Sequence, residues 1–174
     1  MKLIHINVKD KTINSEEIQR DSDYFLLGAR GLTSQIVFDE VNPTTDPLGK
    51  ENKLVIANGL LTGTPFPNSA RTSIGAKSPL TGGIKEANVG GRGSYLLARH
   101  GIRALVLEDK SDEMQILIVE GENIQLESAE EFRGLGNYEL QEKLLKKYGE
   151  KAGIYSIGPA GAHMMKAASI ASTD

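Results

Sequence analysis

The residues best suited to gripping a ligand lie between Asn58 and Gly93, where glycines recur among threonine, serine, asparagine and three prolines. Glycine-rich turns leave backbone N–H groups free to converge on an anion, and Gly59-Leu60-Leu61-Thr62-Gly63-Thr64-Pro65 adds hydroxyl donors. Arg71, Lys77, Lys85, Arg92 and Arg99 lie in or beside this stretch, enough positive charge for one or two phosphates. Arginine adds a planar fork of donors that fits a phosphate or a flat heterocycle. The same spacing also serves tight turns at sheet or barrel corners, and each cation taken alone also reads as solvated surface charge. Spacing leaves both readings open.

Other chemistries find less support. The 174 residues contain no cysteine, so disulfides and a thiolate-held zinc or iron–sulfur cluster are excluded for this chain alone. His5, His100 and His163 are far apart in sequence and outside any H-E-x-x-H pattern. No G-x-x-x-x-G-K-[ST] loop, no G-x-G-x-x-G opening a helix after a strand and no G-x-S-x-G elbow occurs. The net charge of -3 gives no footprint for nucleic acid or an anionic membrane, both of which reward clustered lysine and arginine. No stretch approaches the roughly 20 apolar residues of a membrane span. The reading is of a soluble, cytoplasmic protein that binds neither nucleic acid nor membrane.

The elements that must position these residues follow from periodicity. Lys2 to Val8 alternates as a strand, with a turn at Asp10-Lys11 and a return strand from Thr12. Gly28 and Gly31 divide the next segment into two short helical patterns; the second, Leu32 to Val41, ends at Asn42-Pro43 because a residue before proline is pushed out of the helical region. Leu54 to Ala57, Thr72 to Ala76, Ile84 to Asn88, Leu105 to Leu107, Gln115 to Val119, Ile124 to Leu126 and Ile154 to Ile157 read as strands. Tyr95 to His100 is a short helix ended by Gly101, and Glu127 to Glu131 is read as a solvated helix start. Asn137 is placed as the cap of a helix with Leu140, Leu144, Leu145 and Tyr148 on one stripe, stopped by Gly149. Strands outnumber helices and pair mostly with sequence neighbours, which predicts an α+β fold with a largely antiparallel sheet and a few helices.

Longer strings narrow the reading. Leu27-Gly28-Ala29-Arg30-Gly31-Leu32, Asp46-Pro47-Leu48-Gly49-Lys50-Glu51-Asn52-Lys53-Leu54, Leu61-Thr62-Gly63-Thr64, Lys77-Ser78-Pro79-Leu80-Thr81-Gly82-Gly83-Ile84, Ala87-Asn88-Val89-Gly90-Gly91 and Ser156-Ile157-Gly158-Pro159-Ala160-Gly161 occur in that order. Together they closely resemble the N-terminal domain of the aldehyde ferredoxin oxidoreductase family, over nearly the whole chain. The resemblance implies one N-terminal cofactor-binding domain over residues 1–174, part of a longer multidomain oxidoreductase. Such enzymes oxidise small aldehydes to carboxylic acids at a tungsten, or in some relatives a molybdenum, held by two pterins. Electrons leave through a [4Fe-4S] cluster to ferredoxin, and the cluster ligands come from C-terminal domains outside this chain. Relatives often form homodimers.

The resemblance further implies roles for four residues as the base on which the pterins lie. Arg71 takes the position of an arginine between pterin and cluster. Asn88 takes that of an asparagine whose backbone carbonyl helps hold a magnesium ion bridging the pterin phosphates, a suitable hard ligand. Gly90 and Gly91 match glycines that bring backbone close to the cofactor. Departures from the pattern are Ser69-Ala70 for Gly-Gly, Val89 for serine, Leu60 for proline, Ile102-Arg103 for Tyr-Asp and Ala162-His163 for Glu-Asn. They motivate an alternative, a non-catalytic pterin- or anion-binding scaffold of the same fold with cofactor binding lost or altered.

Overall fold

The computed structural model describes residues 1–173. Strands β1 (Lys2–Asn7) and β2 (Thr12–Glu17) form the opening hairpin, followed by helix α1 (Ala29–Glu40) and strands β3 (Lys53–Asn58), β4 (Thr72–Lys77) and β5 (Ile84–Val89). Helix α2 (Arg92–Arg99) leads into β6 (Ile102–Glu108), the hairpin β7 (Gln115–Glu120) and β8 (Asn123–Ser128), and helix α3 (Asn137–Tyr148). Strand β9 (Tyr155–Ser156), helix α4 (Gly158–Ala162) and strand β10 (Ala171–Ser172) complete the order.

Six strands form the main sheet in the order β2-β1-β6-β3-β4-β5. Every pairing in it is antiparallel except β1 with β6, so the predicted α+β class with a largely antiparallel sheet holds. The late strand β6 inserts between β1 and β3, a long-range pairing beyond the neighbour hairpins. Its entry carries a bulge: Lys2 pairs with Ile102 and Leu3 with Ala104, so Arg103 has no partner on β1.

Period-two alternation sends side chains to opposite faces. Leu3, Val55, Ala57, Ala104 and Val106 meet Leu32, Ile36, Val37 and Val41 of and just after α1, forming one buried core. The close approach of α1 to β4 depends on Gly75, where a Cβ would come within 2.9 Å of the Thr33 Cβ. On the other face Ile4, Ile6, Ile56, Leu97, Ile102 and Leu105 form a second core, flanked by half-buried Leu117, Val119, Ile124 and Leu126 of the β7–β8 hairpin. A largely apolar cavity of about 930 Å³ remains on this second side, lined by residues including Leu96, Leu107, Leu117, Leu140, Leu144 and Ile170.

Three local readings change. The two helical patterns around Gly28 and Gly31 resolve into one helix: Gly28 is extended (φ -149, ψ 161), Gly31 lies inside α1, and Tyr24 to Leu27 forms turns. Only the second pattern carries apolar residues at a spacing that α1 can bury. Glu127 belongs to β8, and Glu130–Phe132 makes a single 3-10 turn instead of starting a helix. Asn137 is not a cap; Gly136 precedes α3, and the Asn137 Oδ1 accepts from the Ser156 hydroxyl at 3.1 Å, a tertiary bond that outcompetes the local one. Of the α3 stripe, Leu144 is fully buried while Leu140, Leu145 and Tyr148 are half-buried. Among the described residues no helix is long and apolar enough to cross a membrane.

Candidate functional site

Three of the strings singled out in the sequence serve the scaffold. Lys77, placed among the anion-binding cations, is buried, and its ammonium donates to the carbonyls of Thr45 at 2.6 Å and Pro43. Asn52 Nδ2 donates to the carbonyls of Pro47 at 2.8 Å and Lys77 at 3.0 Å. The Asp46-to-Leu54 string is thereby tied to the end of β4, and Lys77 has no free donor face for an anion: its burial is affordable only because carbonyl oxygens meet its charge. The Ser78 hydroxyl accepts from the N–H groups of Leu80 and Thr81, which shapes the β4–β5 turn.

The hydroxyls of the Gly59-to-Pro65 segment are also spent internally. Thr62 Oγ1 lies 2.7 Å from the Ser69 carbonyl and 3.2 Å from that of Arg71, while Thr64 Oγ1 donates to the Leu61 carbonyl at 2.6 Å. Gly59 N–H donates to the Arg71 carbonyl at 3.1 Å. These bonds fix the Arg71 backbone from two sides. Its side chain is left exposed, with no ion pair or side-chain hydrogen bond among the described residues.

Arg71 and Gly90 come together where β4 starts and β5 ends. A Cβ built on Gly90 would sit 3.9 Å from both the Arg71 Nη1 and the Ala70 carbonyl, ordinary contact with space to spare. Gly91 is different. It adopts φ 108 and ψ 174, a region essentially confined to glycine, and a Cβ there would run into the Thr173 carbonyl and the Ser172 hydroxyl. The demand for glycine at 91 is therefore met by packing within the chain. Gly90 is half-buried and its carbonyl accepts from the Ser172 hydroxyl at 3.3 Å, but among the described residues no atom crowds its Cα.

Gly91 also starts α2, whose first turn has neither a side-chain cap nor an acidic residue. Of the remaining cations, Arg92 donates from Nη1 to the Glu150 carbonyl and Lys85 from Nζ to the Glu86 carbonyl. Asn88 lies on the edge strand β5, its Nδ2 held by Glu86 Oε2 at 2.7 Å. Glu86 also accepts from Ser73 at 2.6 Å and pairs with Arg30 at 2.5 Å. One N–H of the Asn88 amide is thus held by the scaffold, and the residue itself is exposed.

Behind Arg71 runs a buried polar chain that sequence reading missed. Asn58 Nδ2 donates to the Ile102 carbonyl at 3.1 Å, and Thr72 Oγ1 lies 3.2 Å from Asn58 Oδ1 and 3.0 Å from the Tyr155 hydroxyl. The Thr72 proton goes to the Asn58 oxygen, so Tyr155 donates to Thr72. Burial pushes the Tyr155 phenol up, keeping it a neutral donor. The chain links β3, β4, β6 and β9 beneath the site, and only tertiary pairing assembles it.

The exposed Arg71 and the uncrowded Gly90 beside it suit a flat, acceptor-rich, anionic group, whereas the first turn of α2 is buried at Gly93 and Ser94 against Tyr155. The departures from the family strings lie on exposed or half-buried positions except at Ile102 and Arg103, of which Ile102 joins the second core. Arg103 is 7% exposed, and its Nη1 is buried without a hydrogen-bond partner among the described residues.

Comparison with known proteins bears on this edge. The family model described as aldehyde ferredoxin oxidoreductase, N-terminal domain, matches residues 3–174. The tungsten-containing aldehyde ferredoxin oxidoreductase of Pyrococcus furiosus is 38% identical over 170 residues, covering 97% of this chain and 28% of that protein. Its counterpart from Pyrococcus abyssi is 35% identical over the same extent. Among solved structures, the active site complex BamBC of benzoyl coenzyme A reductase, in complex with 1,5-dienoyl-CoA, superposes with a TM-score of 0.92 at 27% identity, covering 98% of this chain and 26% of that one. The chain thus spans about 28% of the length of the curated relatives it matches.

Proposed function

The chain belongs to the aldehyde ferredoxin oxidoreductase family, as its N-terminal domain, and from that premise we propose that it is the cofactor-binding base of a longer, multidomain tungsten or molybdenum oxidoreductase. The observation that carries this reading is the edge at Arg71 and Gly90: a fixed backbone, an arginine without a side-chain partner among the described residues and an uncrowded glycine beside it. When bound, a metal bis-pterin supplies the two-electron oxidation of a small aldehyde by water to a carboxylic acid, with electrons passing through a [4Fe-4S] cluster to ferredoxin.

The chain's own residues bind and orient. Arg71 donates hydrogen bonds to the pterin and offsets negative charge where it gathers. Gly90 lets main chain approach the cofactor, while Gly91 holds β5, α2 and β10 in register. The Asn88 carbonyl would serve as a hard oxygen ligand to a magnesium ion bound together with the pterin. No cysteine is available here, so the cluster ligands and the substrate channel fall to C-terminal domains of the same protein. The apolar cavity on the second face supports their docking against this domain. A homodimer of the complete protein and a cytoplasmic location belong to the same proposal.

Metal, pterin and iron analysis of the full-length protein, purified without oxygen, tests this reading. Stoichiometric tungsten or molybdenum with an iron–sulfur signal is expected. Their absence from correctly folded protein would overturn it in favour of the non-catalytic scaffold.

A further inference from the structure

At the opposite end of the main sheet the fold gathers three side chains able to ligate a metal. His5, Glu40 and Glu108 each turn one ligand atom into a common space, all within 4.8 Å of one another. Period two sets His5 on the same face as Leu3, and Glu108 on that of Val106, so both look toward the end of α1 that carries Glu40. His5 Nδ1 is 2.6 Å from Glu108 Oε1 and 3.9 Å from Glu40 Oε2. The Lys53 ammonium bridges the two carboxylates, 2.6 Å from Glu40 and 2.8 Å from Glu108. A place for a cation is already built.

Charge favours more than an ammonium there. Two carboxylates against one lysine leave a negative charge when the imidazole is neutral, and a divalent ion in place of the ammonium cancels it. One imidazole nitrogen with two carboxylate oxygens suits borderline divalent ions such as zinc, manganese, iron or cobalt. The side chains are between 20% and 27% exposed, so an ion can enter without unfolding the chain. A shallow cavity of about 260 Å³, lined by Asn7, Lys50 and Asp109 beside Lys53 and Glu108, leaves room for a withdrawn ammonium and for water ligands.

We propose that His5, Glu40 and Glu108 form a divalent transition-metal site in which the entering metal displaces the Lys53 ammonium. The site is separate from the Arg71 edge and independent of the oxidoreductase reading.

Titration of the untagged 174-residue chain with zinc alone, and with cobalt as a coloured probe, tests this by calorimetry and visible absorption. One ion per chain is expected, with cobalt d–d bands that zinc abolishes. His5→Ala should weaken binding, and Lys53→Met tighten it, each by at least about tenfold. No uptake by the wild type at millimolar metal overturns the proposal, as does uptake indifferent to His5→Ala. Uptake by Lys53→Met alone also overturns it, showing a closed ion-pair cluster. If Lys53→Met does not fold, the His5 imidazole NMR signals of the wild type decide. Displacement by stoichiometric cobalt supports the site, and unchanged signals sink it.

Discussion

At the end of the sheet where β1, β3 and β6 meet the last turn of α1, Lys53 is answered by two carboxylates and His5 by one. At the other end, where β4 and β5 run into α2, Arg71 meets no carboxylate among the described residues, although its backbone is held by Thr62 and Gly59. One sheet thus carries carboxylates already met by cations of the chain and an arginine held ready and left open. Charge paired within the chain secures the fold and admits an outside ion only in exchange for a partner it holds, whereas donors fixed in place without a partner mark where something outside the chain binds.

The sharpest way to break this contrast lies in the two adjacent glycines. Gly91→Val should cost about 3 kcal/mol of stability or more, because it combines a forbidden backbone region with a collision at Thr173. Gly90→Ala should cost less than about 1 kcal/mol, as its Cβ enters open space. Urea denaturation of both variants separates them, and equal losses would show that Gly90 is as structural as its neighbour.

Lys53→Ala probes the closed end. Removing the lysine leaves Glu40 and Glu108 facing each other half-buried, a loss of about 1–3 kcal/mol once partial solvent exposure is allowed for. Burial pushes the Glu108 carboxyl up, but hydrogen bonds from Lys53 and His5 outweigh it and hold the group below its ordinary value. Burial likewise pulls Lys53 down, and its bonds to Glu108 and Glu40 reverse that and raise it. A depressed carboxyl stabilises above its unfolded pKa and loses that contribution as pH falls through the folded one; a raised lysine stabilises below its unfolded pKa and loses it as pH rises through the folded one. Stability of the wild type should therefore fall below about pH 4 and above about pH 10. Denaturation midpoints across pH should show shallower slopes in Lys53→Ala at both limits.

The smallest effect concerns Arg103, whose buried Nη1 at the β6 bulge has no hydrogen-bond partner among the described residues. Arg103→Met keeps the aliphatic stem and removes the unpaired nitrogens, so the chain should gain up to about 1 kcal/mol. A marked loss in the same denaturation assay would reveal a partner for the guanidinium.

Much of this architecture was legible in the residues. The strand at Leu54 to Ala57 and the turn at Ser78 to Gly83 follow from local apolar runs and turn residues, and their register follows from period two. The paired role of Lys77 and Asn52 was hidden, because a lysine beside a glycine-rich loop looks like an anion ligand until its burial is known. The ion cluster was equally hidden: His5, Glu40, Lys53 and Glu108 are unremarkable at their own positions, and only the insertion of β6 between β1 and β3 unites them. At the open end, the family resemblance gave Arg71 and Gly90 each a place at the cofactor, while packing of Gly91 against Thr173 required the late return of β10.

The most direct test of the account is the tungsten or molybdenum and pterin content of the full-length protein carrying Arg71→Ala, beside Arg99→Ala as the control. Both are exposed arginines, so each substitution should change stability by no more than about 0.5 kcal/mol. Arg71→Ala is predicted to lose cofactor, or activity per cofactor, while Arg99→Ala keeps both. Equal retention and equal activity in the two folded variants would contradict the claim that the open arginine at the start of β4 holds the cofactor.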